Sequence, residues 1–186
     1  MSDAASLGRN ERLRLFFGLP IPSEPAERLV EWASRELGGD KAVRLLPVAH
    51  LHVTLAFLGG RPAGELEALR EALHAAGRRL SRPVLSPAGY RETERVAMLV
   101  LDDLEGRAAL VQARLSARLE RLGVYRPESR PWLAHVTVAR LRGRLRAAPE
   151  LPDLPAFSPS EAALYHSTLR PSGASYEILD AVRLDD

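Results

Sequence analysis

Two short stretches hold the residue types from which acid and base chemistry can be built. They are Leu51-His52-Val53-Thr54-Leu55-Ala56-Phe57-Leu58-Gly59 and Ala134-His135-Val136-Thr137-Val138-Ala139-Arg140. Both read His-apolar-Thr-apolar. Side chains alternate between the two faces of a β-strand, so His52 and Thr54 share one face, roughly 7 Å apart, while Val53 and Leu55 share the other. The second copy behaves in the same way. Each segment buries an aliphatic face and presents an imidazole and a hydroxyl opposite, which makes sense if the polar face lines a cavity. Two such strands side by side make one site with two histidines and two threonines.

Breaking or transferring a phosphodiester needs a base for the nucleophile and an acid for the leaving oxygen. Imidazoles with pKa near 6.5 serve both roles near neutrality. One histidine cannot fill both roles at once, whereas two on opposite sides of phosphorus suit an in-line displacement. Thr54 and Thr137 could donate hydrogen bonds to the non-bridging oxygens. This scheme needs no metal and no cofactor. The chain has no G-x-x-x-x-G-K-[ST] loop, so nucleoside triphosphate hydrolysis has no support.

The elements that must position these residues come from a chain of 186 residues, 46% apolar, long enough to bury a real core as one domain or a two-lobed one. No apolar run approaches the roughly 18 residues of a membrane span, and Met1 to Glu11 reads as a loose polar tail ahead of a single domain over 12–186. Cysteine is absent, which excludes disulfides and thiolate metal sites and fits a cytoplasmic protein. The formal charge is only +2, with Lys41 the sole lysine, so any grip on phosphate must be local.

Leu13–Leu19 reads as a strand closed by Pro20-Ile21-Pro22. A helix follows, with Ser23 placed to cap it, Leu29, Val30, Ala33 and Leu37 at helical spacing, and Gly38-Gly39 ending it. Val43–Pro47 and Leu51–Leu58 read as strands in a tight connection, stopped by Gly59-Gly60. Pro62–Leu80 and Leu104–Leu122 have helical stripes, with strands around Val84–Leu85 and Val96–Leu101 between them. The second histidine strand covers Leu133–Leu141, Arg142–Pro155 reads as a flexible excursion, and Phe157–Leu169 and Tyr176–Val182 flank a Pro171-Ser172-Gly173 turn. Short links around Pro47 and Pro171 favour antiparallel hairpins. The expectation is an α+β fold of two similar lobes facing each other.

His52-Val53-Thr54-Leu55 and His135-Val136-Thr137-Val138 resemble the paired H-x-T-x motifs of the 2H phosphoesterase superfamily. Arg14-Leu15-Phe16-Phe17-Gly18-Leu19-Pro20, the ending Phe57-Leu58-Gly59 and the stretch Ser167 to Tyr176 are similar to the bacterial and archaeal RNA 2',3'-cyclic phosphodiesterase branch, historically called 2'-5' RNA ligase. The resemblance covers nearly the whole chain after residue 11. It implies a bilobal fold, with two similar antiparallel sheets, helices packed outside, and both motif strands in a central cleft. It also implies metal-free opening of a 2',3'-cyclic phosphate at an RNA end to a 2'-phosphate by a monomer without a protein partner. His52 would be the proton donor to O3', His135 the base for water, and Thr54 and Thr137 the phosphate holders. Arg140 occupies the place of an arginine common in the family. Strict alternation aims it away from the cleft, so it reaches phosphate only if the strand bulges or ends there. Ala134 stands where a proline is common, and Ala56 where a basic residue is common.

Other readings stand beside these. His50-x-His52 has the spacing of two metal ligands on one strand, and His135 could complete a three-histidine zinc site. His74 and His166 read as surface or packing residues. Phe16, Tyr90 and Trp132 are candidates to stack on a base, and Arg140, Arg142, Arg144 and Arg146 to track an RNA backbone. Arg44 and Arg130 are weaker phosphate candidates. Three functions remain open: an RNA 2',3'-cyclic phosphodiesterase with reversible 2'-5' ligation, an enzyme of the same superfamily acting on a small cyclic phosphate, and a non-catalytic module binding RNA ends.

Overall fold

A computed structural model describes residues 11–170 and 173–186. The strands and helices are β1 (Arg12–Pro20), α1 (Ser23–Leu37), β2 (Val43–Leu45), β3 (His52–Pro62), α2 (Leu66–Gly77), β4 (Leu85–Glu92), β5 (Val96–Asp103), α3 (Arg107–Arg121), β6 (His135–Leu141), β7 (Glu161–Arg170) and β8 (Gly173–Arg183). Every pairing between them is antiparallel. The order across the sheet is β4-β5-β6-β3-β1-β7-β8, with β2 also paired to β6. The expected α+β class is what the chain adopts.

The expected two separate sheets are instead one continuous sheet, joined at its middle by a single residue pair, Val53 with Val136. One edge of β6 is occupied by β5 from His135 to Arg140. β3 and β2 must therefore share the other edge, β3 at Val136 and β2 from Ala139 to Leu141. β3 leaves where β2 arrives, and the sheet opens along that seam.

The sheet has two different faces. On β1 the alternation is strict, with Leu13, Leu15, Phe17 and Leu19 in the main core and Phe16 in a small second cluster with Ala163 and Tyr165 on the opposite face. The three helices cover the first face. α1 turns in Ala26, Leu29, Trp32, Ala33 and Leu37, α2 Leu69, Ala72, Leu73 and Ala76, and α3 Ala108, Val111, Leu115 and Leu119. The helices do not stay with the strands they follow. α1 leaves β1 and packs on β2 and β6, across the seam, while α3 leaves β5 and packs on β3 as well as β5.

Several local expectations need correction. Val43–Pro47 and the first motif do not form a hairpin, because β2 belongs to β6 and β3 to β1. Pro47 leads into a single 3-10 turn, Val48–His50, that carries the chain across. Gly59-Gly60 does not stop β3. Gly59 adopts φ of +68°, and the register steps from Leu15–Gly59 to Phe16–Phe57, so the glycine lets the strand bulge and continue to Pro62. Ser23 is the first residue inside α1 and makes no side-chain cap, because Pro22 takes the capping position. Arg142–Pro155 has no regular structure through Pro155, yet it is pinned. The Trp32 indole N–H donates to the Glu150 carbonyl at 2.8 Å, Arg28 donates to the Asp153 carbonyl, and Leu154 is buried. The Met1–Glu11 tail up to Asn10, and Pro171-Ser172 of the expected turn, lie outside the described residues.

α2 ends against β8 at Gly77, where a Cβ would stand 2.5 Å from Val182 Cγ1. Gly77→Ala should therefore lose about 1–3 kcal/mol from overpacking, although alanine is the better helix former by up to about 1 kcal/mol. Urea unfolding would show this as a lower midpoint with an unchanged slope. Adding Val182→Ala should cost less in the Gly77→Ala background than in the wild type; simple additivity would refute the contact.

Candidate active site

His52, Val53 and Thr54 open β3 with the expected alternation, Val53 fully buried against the helices and His52 and Thr54 half-buried on the other face. The alternation then breaks. Leu55 and Ala56 are both buried, because Phe17 pairs with Ala56 and Gly18 with Thr54, leaving Leu55 as the extra residue of a bulge. The second motif repeats this. Ala97 pairs with Ala139 and Met98 with Thr137, so Val138 is extra, and Val138 and Ala139 are both buried. Each bulge reverses the side-chain phase. The fifth residue after each histidine, Phe57 in one strand and Arg140 in the other, is thereby turned onto the face of the histidines. The condition on which Arg140 depended is met.

The carbonyls around the bulges find other donors. The Trp132 indole N–H donates to the Thr54 carbonyl at 3.0 Å, the Gln112 amide to the Leu55 carbonyl at 3.5 Å, and the Leu46 N–H to the Val138 carbonyl at 2.9 Å. Trp132 is thus a support beneath the first motif and not a free stacking surface.

With Val53 opposite Val136, His52 falls opposite Thr137 and Thr54 opposite His135. The histidines lie on one diagonal and the threonines on the other.

Both rings are held alike. His52 Nδ1 bonds to the His50 carbonyl at 2.8 Å, and His135 Nδ1 to the Leu133 carbonyl at 2.9 Å. A carbonyl only accepts, so each Nδ1 carries the proton, and each Nε2 is left as the nitrogen that can exchange one. His52 also lies on an aromatic bed: Phe16 is 4.7 Å away by ring centroids and stacked on Tyr165, and Tyr176 meets His52 edge-on at 5.5 Å. Gly18 lets β1 pass beneath, since a Cβ there would stand 3.0 Å from the Val53 carbonyl and 3.2 Å from His52 Cδ2. Burial, above all, drives the His52 pKa down to about 4. The hydrogen bond to His50 opposes this, and the charges of Arg140 and His135 reinforce it.

His52, Thr54 and Arg140 line a cavity of about 130 Å³ together with Arg14, Phe16, Phe57, Ser167, Leu169, Ala174 and Tyr176. At about 30 Å³ per water this is space for a group the size of phosphate and not for one the size of a nucleotide. His135 and Thr137 do not line this cavity; they stand half-buried across the seam.

The remaining candidates fall elsewhere. His50 serves His52 through its carbonyl, and its ring sits on Tyr176 at 4.6 Å, so it does not join a three-histidine set with His52 and His135. His74 pairs with Asp180 at 2.9 Å, and His166 is half-buried beside Leu15. Arg130 pairs with Glu128 in solvent, and Arg44 lies beside Arg140 on β2. Tyr90 donates to Glu92. Sequence reasoning missed Phe57, 48% exposed, under the Arg14 guanidinium at 4.6 Å. The signal was available: Phe57 stands at the same offset from His52 as Arg140 from His135. Ala56, by contrast, is buried, so a basic residue there would not face the cleft.

Known proteins resemble this chain in sequence and in fold. The family model for LigT-like phosphoesterases matches residues 19–84, which include the first motif. An RNA 2',3'-cyclic phosphodiesterase of Thermus thermophilus is 32% identical over 185 residues, covering 92% of this chain and 90% of the relative. The chain belongs to the LigT-like phosphoesterase family. A relative of the same name from Escherichia coli K12 is 29% identical over 136 residues, 70% of this chain and 73% of its own. The crystal structure of TT0787 of Thermus thermophilus superposes with a TM-score of 0.80 at 30% identity, covering 92% of this chain and 98% of that one. This LigT-like chain is an enzyme, a phosphodiesterase.

The electrostatics of His52 can be read by NMR of the histidine rings. His52 should stay neutral down to about pH 4, and Arg140→Met, which removes one of the charges that lower it, should move its titration upward. In the unfolded chain the same ring titrates near 6.5, so as pH falls the unfolded state takes up the proton first. His52 therefore costs stability between pH 6.5 and 4, and His52→Asn should have a shallower pH dependence of stability in that window. A wild-type His52 that titrates at 6.5 or above contradicts this account.

Proposed function

We propose that the protein hydrolyses RNA 2',3'-cyclic phosphate ends to 2'-phosphomonoesters, with the two histidines as general acid and base. The observation that carries this reading is the arrangement about the Val53–Val136 pair, with the histidines on one diagonal, the threonines on the other, and neither Nε2 hydrogen-bonded among the described residues. The names of the Thermus and Escherichia relatives support the substrate class. One histidine takes a proton from water as its oxygen attacks phosphorus, the P–O3' bond breaks, and the other gives its proton to O3'. Thr54, Thr137 and Arg140 hold the non-bridging oxygens. A 5'-hydroxyl in place of water gives a 2'-5' linkage by the same steps, which is the ligation activity included in this proposal.

The resemblance makes His52 the acid and His135 the base. One observation favours the exchanged assignment: burial leaves His52 neutral at neutral pH in the free protein, the state a base requires. A monoanionic phosphate beside it would raise its pKa and reload the proton. A substrate whose 3' bridging oxygen is replaced by sulfur separates the two, because a thiolate leaves without a proton. Only the variant lacking the acid should regain turnover on it.

The direct test is hydrolysis of an RNA oligonucleotide ending in a 2',3'-cyclic phosphate, in excess chelator. Wild type should release a 2'-phosphate, and His52→Ala and His135→Ala should each lose about a hundredfold or more in kcat. No turnover by wild type, or full activity in either variant, would sink the assignment. Loss of wild-type activity to the chelator alone would point to a metal-dependent reaction.

A further inference from the structure

We propose that a groove over the β4 edge of the sheet, built from Arg91, Arg144 and Arg146, binds the single-stranded RNA that leads away from the reactive end. This rests on the reading of the site as one for RNA ends. Thr137 pairs with Met98, and Met98 with Arg91, so all three side chains share the cleft face in one row across the strands. Arg91 stands two strand spacings from Thr137, roughly 10 Å, on the outermost strand of that half. From there the surface turns over the edge into the groove, which Arg91, Arg144 and Arg146 line together, all three exposed.

The segment that lines the groove is anchored on a buried carboxylate. Glu92, its side chain 8% exposed, accepts hydrogen bonds from the Tyr90 hydroxyl and from the backbone N–H groups of Arg146 and Ala147, with Arg144 Nε 3.9 Å away. Arg146 is held at φ of +56°, in the left-handed region that a long side chain seldom adopts. A charged edge that merely prevents strand pairing needs neither a buried carboxylate nor a strained backbone. Both serve to fix two arginines beside a third. Among the described residues Glu92 is the only acid lining the groove, and its charge is already met by these donors, so the surface left facing solvent is cationic. A flexible chain of phosphates, with its terminal phosphate held at Thr137 and Arg140, is the anion whose next groups fall along this row.

The test compares wild type, an Arg91→Ala/Arg144→Ala/Arg146→Ala triple variant, the corresponding triple lysine variant and Glu92→Ala on three probes. These are a mononucleotide 2',3'-cyclic phosphate, an eight-nucleotide RNA with the same end, and a fluorescent eight-nucleotide RNA ending in a 2'-phosphate, titrated by anisotropy at several salt concentrations. The alanine triple should keep mononucleotide turnover within about twofold and lose tenfold or more in kcat/KM on the oligonucleotide. Its slope of log affinity against log salt should become shallower by about 2, since each phosphate no longer neutralised removes about 0.7 on a single strand. The lysine triple should keep most of that slope, and Glu92→Ala should lose part of it with mononucleotide turnover intact. Unchanged oligonucleotide binding and slope in the alanine triple, an equal loss on the mononucleotide, or displacement of the RNA by polyglutamate of equal charge would each overturn the proposal. If wild type turns over neither substrate, the reading of the site fails, while the anisotropy arm still decides the groove.

Discussion

The arrangement depends on a seam one residue pair wide. A longer ladder between β3 and β6 would hold the two strands about 4.8 Å apart along their length and bring the motif side chains into contact with one another. No pairing at all would leave the two halves free to separate. The single Val53–Val136 pair fixes the register, and with it which histidine faces which threonine, while letting the strands diverge on either side. Both valines are fully buried, so apolar packing rather than hydrogen bonding holds the seam closed. The crossed helices stiffen it, because α1 and α3 each bury apolar surface on strands beyond the half from which they were launched.

The bulges solve a second problem. A strand of strict alternation presents two polar residues at positions one and three and then a third at five, spaced along a line. A phosphate needs donors around a point. Inserting Leu55 and Val138 leaves His and Thr in place and delivers the sixth residue of each motif, Phe57 and Arg140, onto the same face. The backbone groups disturbed by this are met by Trp132, Gln112 and Leu46, side chains and backbone from outside the two motifs. The bulges are therefore supported by groups from outside the two motifs.

Much of this could be read in the chain itself. The helices and most strands follow from apolar period and from glycine and proline punctuation, because those signals are local. The paired motifs were legible because their residue types are improbable on a buried strand. What was not legible is whatever depends on partners distant in sequence. Nothing near Pro47 says that β2 will pair with β6 some ninety residues on, so a short link looked like a hairpin. The Arg142–Pro155 composition suggests a free loop, and its anchors, Trp32 and Glu92, lie far upstream. Gly59 looked like a stop because a left-handed glycine inside a strand and one at its end have the same sequence signature. The bulges are the instructive case: a phase reversal is invisible in either motif alone, yet both copies place two small or aliphatic residues between Thr and the next large one.

The two halves of the site are matched in backbone and unlike in chemistry. At equivalent positions one strand supplies Arg140 and the other Phe57, so a ligand centred between them meets a cation on one side and an exposed aromatic on the other. Arg140 lowers the His52 pKa, so an anion that neutralised this arginine would raise it again. Phe57, with Arg14 stacked on it and Leu169 and Tyr176 beside it, forms the apolar wall of the small cavity that His52, Thr54 and Arg140 also line. The site is thus oriented: Arg140 on the β6 side, the exposed Phe57 with its apolar neighbours on the β1–β8 half, and Arg91 at the outer edge beyond Thr137 and Met98.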